Sequence, residues 1–291
     1  MLARHPDVYT LPETAFFQHL HADVAWRWGD RHIKPRRRPL RARLGMPRKG
    51  VRQLLMSLHY SLCGEHTPHL RAPFSTSACA AKFVSMLDML ADQADCSTWI
   101  EKTPNHLLYI PEITASVPDA RFIHVVRPGP DVLASLADAL LSFDNDLAFG
   151  GGSVLWARRW NHAMHIHEAY LGQPNHTLVF LEDLIQRPER EWKRICRFLD
   201  LEPDTHLAAA CNQSIADLDH EPWKHAAISG LPQKLQPKVD DLFGPKFQCW
   251  LQDHLESYDS LRAKSLFRQN RYGESKVTPL GSQRPVSILS S

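Results

Sequence analysis

A strand that ends in arginine and runs straight into a helix makes a natural anion site, and this sequence of 291 residues carries one at Arg127. The run ARFIHVV, Ala120 to Val126, is apolar and rich in β-branched residues, so it reads as a buried strand. Arg127-Pro128-Gly129-Pro130-Asp131 follows, and then an apolar helix from Val132 to Leu141. Backbone N–H groups at the start of such a helix, together with its dipole, favour a bound anion. The Arg127 guanidinium adds a planar fork suited to phosphate, and Ser135 lies near the first turns of the same helix. One strand–turn–helix unit could thus hold a phosphate from three directions. The competing reading is an ion pair between Arg127 and an acid such as Glu182, and the residues alone leave both open.

Other groupings invite weaker readings. The chain has 34 Lys and Arg against 32 acids, a net charge of +2. Between Arg27 and Arg52 stand eleven bases and one acid, Asp30, leaving 23 bases against 31 acids elsewhere. So dense a basic run invites an anionic partner, the bland alternative being a solvated loop or helix face. His162, His165 and His167 with Glu168 share one predicted helix, but His167 is off the face of the other two. With 17 histidines in the chain, chance proximity is the simpler account, and no metal is expected. None of the six cysteines forms a C-x-x-C pair, which argues against a zinc knuckle or a thioredoxin-like site. Reduced, buried thiols point to a cytoplasmic compartment. No apolar run approaches the roughly 20 residues of a membrane span, and residues 1–20 lack the pattern of a signal peptide.

The elements that must position these residues alternate between strands and helices. MLARHPDV reads as a helix end stopped by Pro6, and 34–50, with three prolines and two glycines, as mostly loop. From Ser77 to Ala94, Cys79, Phe83, Met86, Leu87 and Leu90 recur at helical spacing. A short strand ends in Trp99-Ile100, followed by the polar Glu101-Lys102-Thr103-Pro104 and a broken helical stretch to Ser116. Beyond the ARFIHVV strand and its helix come a glycine turn at 150–152 and a helix from Val154 to Tyr170. A strand from His176 to Leu181 and a helix from Pro188 to Leu199 follow. This alternation predicts an α/β fold, a parallel sheet with helices on both faces, and ligands at the carboxyl ends of its strands.

At this point the residues carry a family resemblance. Arg127 and Ser135, eight apart in RPGPDVLAS, resemble the 3′-phosphate-binding element of sulfotransferases that use PAPS, 3′-phosphoadenosine 5′-phosphosulfate. EKTPNH with PDARFIHVVR is similar to the bacterial and tyrosylprotein branch, and HPDVYTLPETAFF resembles the segment after that branch's first helix. LVFLEDLIQRPEREWKRICRFLDLEPD is similar to the family's Glu-Asp-Leu and Phe-Leu segment. The four stand in the family's order from residue 1 to about 205. The resemblance implies a P-loop-NTPase-like parallel sheet flanked by helices, PAPS as co-substrate, and no metal. Glu13 matches the base that deprotonates the acceptor hydroxyl, and Lys102 the lysine that steadies charge on the leaving bridging oxygen. Arg127 and Ser135 would hold the 3′-phosphate. Trp223-Lys224 resembles the late loop that closes over the nucleotide.

Two departures qualify what the resemblance implies. Leu181 stands where the family has an aromatic residue stacked on adenine. Phe180, one step earlier, faces the other side of a strand. The 5′-phosphosulfate loop, a Gly-x-Pro-Arg-Ser-Gly-Thr-type turn, should precede MLARHPDV together with its strand, and the sequence holds no such turn. The expectation is therefore a sulfotransferase-like domain over 1–264, incomplete at its N-terminus, followed by a disordered tail over 265–291. Three readings stay open: an active transferase, a nonenzymatic remnant that binds nucleotide or an anionic partner, and an anion-binding module acting through 27–52. The acceptor could be a glycan, a peptide tyrosine, a lipid or a small molecule. Nucleic acid is the partner least expected.

Overall fold

The strands at Thr98–Lys102, Ala120–Val126 and His176–Phe180 arise close to where the hydrophobic periodicities place them, whereas Val8–Thr10, read as following a helix end, is also a strand. The computed structural model describes residues 1–30, 33–34, 40–64, 71, 73–143, 150–203, 238–272 and 286–290. These fall into two compact units, the first made of 1–122, 199–203 and 286–290, the second of 123–198 and 238–272. The fold is α/β, with parallel strands and flanking helices.

The first unit holds β1 (Val8–Thr10), β2 (Thr98–Lys102) and β5 (Val286–Ser290), side by side in that order. β2 runs parallel to both neighbours, pairing Thr98 to Ile100 with Val8 to Thr10 and Trp99 to Lys102 with Val286 to Leu289. Its helices are α1 (Phe16–His21), α2 (Val24–Arg27), α3 (Leu40–Arg43), α4 (Val51–Cys63), α5 (Thr76–Gln93) and α6 (Ile110–Ser116). α5 begins at an N-cap, Ser75, whose hydroxyl accepts the Ala78 N–H at 3.1 Å. The periodic residues Cys79, Phe83, Met86, Leu87 and Leu90 all turn inward. Phe83 stacks on Phe16 at 4.0 Å between ring centroids, which ties α5 to α1. Residues 34–50, expected as mostly loop, include the single helical turn of α3.

β3 (Ala120–Val126) passes into the second unit at Ile123 and lies beside β4 (His176–Phe180). Around them are α7 (Gly129–Phe143), α8 (Gly152–Ala169), α9 (Leu181–Gln186), α10 (Pro188–Phe198), α11 (Val239–Leu242), α12 (Pro245–His254) and α13 (Tyr258–Tyr272). Val126, Leu133, Trp156, Trp160, Met164, Phe180 and Leu251 are among the side chains of one buried cluster. Arg194 of α10 clips that helix to β4, donating to the Thr177 hydroxyl at 2.6 Å and the Leu178 carbonyl at 2.8 Å.

The tail expected to be disordered from 265 contains two regular elements. α13 continues to Tyr272, held by the buried Leu261 and Ser265 and by Arg268, which donates to the Leu171 carbonyl at 2.7 Å. β5 then adds a parallel strand to β2. The Ser-, Arg- and Pro-rich composition hid both, because the pairing that orders β5 is made with a strand almost 190 residues away. Among the described residues, no helix is long and apolar enough to cross a membrane.

The second unit also buries a chain of three imidazoles. His124 of β3 places Nδ1 3.0 Å from His167 Nδ1 and Nε2 2.9 Å from His176 Nδ1. Tyr170 stacks on His176 at 4.4 Å between ring centroids and on His124 at 6.2 Å. A neutral imidazole has one donor and one acceptor, so the two bonds through a neutral His124 run in one direction. Burial pushes His124 well below its ordinary value, and the charges of His167 and His176 would push it further. Burial alone lowers His167 to about 4 and His176 to about 4. The folded protein keeps these rings neutral while the unfolded chain protonates near 6.5, so stability falls as pH drops below about 6.5, the share due to His167 and His176 levelling off near 4. By about pH 5 the loss is expected to be roughly 2 kcal/mol for each of His167 and His176. Urea unfolding measured across that range should show it, and His176→Asn should flatten the slope. A stability independent of pH over this window would contradict the account.

Candidate active site

β2 alternates, and its last two residues go separate ways. Glu101 turns inward and is 1% exposed, while Lys102 turns outward with its side chain 36% exposed. The buried carboxylate organises the loop that carries Glu13. Its Oε1 accepts from the Thr14 hydroxyl at 2.8 Å, the Thr14 N–H at 3.2 Å and the Thr103 hydroxyl at 2.6 Å. The Thr103 hydroxyl in turn accepts the Ala15 N–H at 3.1 Å. Glu101 Oε2 lies 2.7 Å from His106 Nδ1, an ion pair when that ring is protonated. Burial by itself would raise the Glu101 carboxyl, but the charge of His106 and the hydroxyls of Thr103 and Thr14 outweigh it and hold it below its usual range.

The rest of EKTPNH serves the same end. Asn105 donates to Gln18 of α1 at 2.8 Å and accepts from the Trp28 indole at 3.0 Å. Ala15, which caps α1, takes a left-handed φ of 51°, a conformation a non-glycine residue keeps only when its surroundings impose it. With Thr14 and Ala15 fixed, Glu13 reaches Lys102, and the two side chains pair directly. The carboxylate and ammonium singled out by resemblance are thus brought together within the first unit.

The second unit brings together Arg127 and Ser135. Arg127 follows β3 directly, and its carbonyl accepts the Trp160 indole N–H at 3.2 Å. Gly129 opens α7 against the same indole. A Cβ there would lie 2.7 Å from Leu255 and 3.1 Å from Trp160, so a side chain would push the helix start away from the strand end. Arg127 Nη2 donates to the Ser135 hydroxyl at 3.3 Å. Its Nε is buried and has no hydrogen-bond partner among the described residues. A buried guanidinium N–H left open is costly unless something anionic completes it. The alternative partner, Glu182, instead accepts from the Tyr258 hydroxyl, whose proton burial and that carboxylate hold well above its ordinary range.

The remaining candidates are less favoured. Leu181 is partly buried at the start of α9, and Phe180 is buried edge-on against Tyr258 with ring centroids 5.5 Å apart. Phe180 is therefore a core residue and presents no face to a purine. Trp223 and Lys224 lie outside the described residues. The histidines of α8 diverge: His167 joins the buried imidazole chain, and His165 lies 3.5 Å from Glu256. Among the described residues no group of three or more His, Cys, Asp or Glu is placed to hold a metal. Sequence reasoning passed over Glu101, Thr14 and His106, although the period-two alternation of a strand already implied that Glu101 and Lys102 point apart.

The sequence matches the family described as the sulfotransferase family over residues 1–205. No curated protein matches it. Among solved structures, the chain is similar to the sulfotransferase domain from the Synechococcus PCC 7002 olefin synthase, with 19% identity, 97% of this chain and 83% of that one covered, and a TM-score of 0.41. It is also similar to the sulfotransferase domain from the curacin biosynthetic pathway, with 16% identity, coverage of 83% and 89%, and a TM-score of 0.40.

Removing the Glu101 carboxylate should unfasten the Glu13 loop. Glu101→Ala strands His106 and two threonine hydroxyls in the interior, and a loss on the order of 3 kcal/mol is expected from urea unfolding. Glu101→Gln, which keeps an acceptor oxygen, should lose less. Equal losses for the two variants would mean that the hydrogen bonds at Oε1 contribute nothing.

Proposed function

The chain belongs to the sulfotransferase family, and on that premise we propose that it moves a sulfuryl group from PAPS to the hydroxyl or amine of an acceptor. The observation that carries this reading is the pairing of Glu13 with Lys102 at the carboxyl end of β2. A carboxylate able to take a proton and an ammonium able to meet negative charge are what the transfer needs side by side. In this reading the acceptor atom bonds to sulfur as the bond from sulfur to the bridging oxygen of the nucleotide breaks. The acceptor's proton goes to Glu13. The electron pair of the broken bond goes to the departing oxygen, where Lys102 steadies it.

Arg127 and Ser135 serve as the nucleotide anchor. The open Nε of Arg127 fits a 3′-phosphate, because a phosphate supplies the acceptor that the buried N–H lacks. Leu181 offers adenine an aliphatic contact in place of a stacked ring.

A second reading, nucleotide binding without transfer, is favoured by one observation: Phe180 is committed to the core, and Leu181 stands where a ring would stack on adenine.

Calorimetric titration with adenosine 3′,5′-bisphosphate, followed by a transfer assay over a panel of acceptors, separates the two. Arg127→Ala should weaken nucleotide binding by roughly 10- to 100-fold. Glu13→Gln should leave binding intact and lower kcat by about a hundred- to ten-thousandfold. Binding without turnover on any acceptor would support the second reading, and no nucleotide binding at all would reject both.

A further inference from the structure

The transfer reading leaves the basic run unused, and the described part of that run is also unusually apolar on its surface. From α3 through the turn after it, Leu40 is 72% exposed, Leu44 64% and Met46 39%. Arg41, Arg43, Arg48 and Lys49 stand among them, all exposed. Phe74, 75% exposed, belongs to the same face. The Thr76 N–H donates to the Gly45 carbonyl at 2.7 Å, and the Arg52 guanidinium lies 4.4 Å over the Phe74 ring. Beneath this face Pro47, Val51 and Leu55 are buried, so it is mounted on the core of the first unit. In the sequence, Glu65 is the single acid between Asp30 and Asp88.

Large aliphatic side chains held in water beside a one-signed charge are costly in isolation, and each has a partner at the surface of an anionic bilayer. Leucine, methionine and phenylalanine side chains enter the boundary between headgroups and acyl chains, while arginine and lysine remain at the phosphates. We propose that the face formed by Leu40, Leu44, Met46 and Phe74 with its surrounding bases docks on an anionic lipid surface. Charge complementarity alone would equally suit nucleic acid. That partner, however, uses stacking rings and leaves Leu40, Leu44 and Met46 without a role. Phe74, the ring that belongs to this face among the described residues, already carries Arg52 on one side.

The test is co-sedimentation of the full chain with vesicles of phosphatidylcholine alone and of phosphatidylcholine mixed with phosphatidylserine. Binding is expected only with phosphatidylserine present, and it should weaken as salt is raised. Each base removed should lower the affinity about fivefold, so R41E combined with R43E should all but abolish binding. L40S combined with L44S should weaken vesicle binding while leaving retention on duplex DNA or heparin unchanged. All these positions are exposed, and unchanged thermal unfolding would show that the variants fold. Three outcomes overturn the proposal: no sedimentation with phosphatidylserine vesicles, equal sedimentation of L40S/L44S, or DNA binding that outcompetes the vesicles.

Discussion

The buried carboxylate of Glu101 is the constraint on which the candidate site depends. An ionised acid in a protein interior persists only if its oxygens are satisfied, and here one oxygen accepts three donors while the other faces His106. Two of those donors, the N–H and hydroxyl of Thr14, belong to the residue after Glu13. The electrostatic demand of one strand residue therefore fixes a loop 87 residues earlier in the chain. Thr103 extends the tether to Ala15, and Asn105 extends it to α1. Locally the Phe16 N–H donates to the Thr14 hydroxyl at 3.3 Å, but neither β1 nor α1 reaches PET, and the tether to Glu101 comes from far along the chain.

Arg127 shows the complementary case, a polar group that is not satisfied. Its surroundings are as well defined as those of Glu101: the indole of Trp160 on its carbonyl, Gly129 allowing the helix to start close by, and Ser135 on one guanidinium nitrogen. Yet Nε is buried without a hydrogen-bond partner among the described residues. Folded proteins rarely leave such a donor unmatched, and an anion is the natural complement. Glu182, the acid that the sequence offered as an alternative partner, instead accepts from the Tyr258 hydroxyl.

Much of this was legible in the sequence, and what was not has a common cause. β3 falls on ARFIHVV residue for residue, and α5 begins one residue before its expected start. Lys102 and Arg127 both close strands, as the rule for open parallel sheets requires. Periodicity reports which side of an element is buried, and it succeeds wherever burial decides the structure. It is silent about partners distant in the chain. The network of Glu101 with Thr14, the imidazole chain of His124, His167 and His176, and the pairing of β5 with β2 are all contacts of that kind. Composition misled at 265–272 and 286–290 for the same reason, since the partners that order these residues lie far away in the chain.

The strengths of the two acid–base pairs at the end of β2 are apportioned in a way that suits catalysis. Glu101 and His106 are both almost wholly buried, so separating them would cost several kcal/mol. Glu13 and Lys102 are 25% and 36% exposed, and a pair with that much contact with water is worth at most about 1 kcal/mol. The strong interaction thus lies in the support and the weak one between the groups that would react. A base and an ammonium that must each turn to a substrate have to release one another readily, while the backbone beneath them stays in place. Exchanging the two environments would reverse this, locking Glu13 to Lys102 and freeing the loop. Burial, more than residue type, separates the pair proposed to react from the structural one.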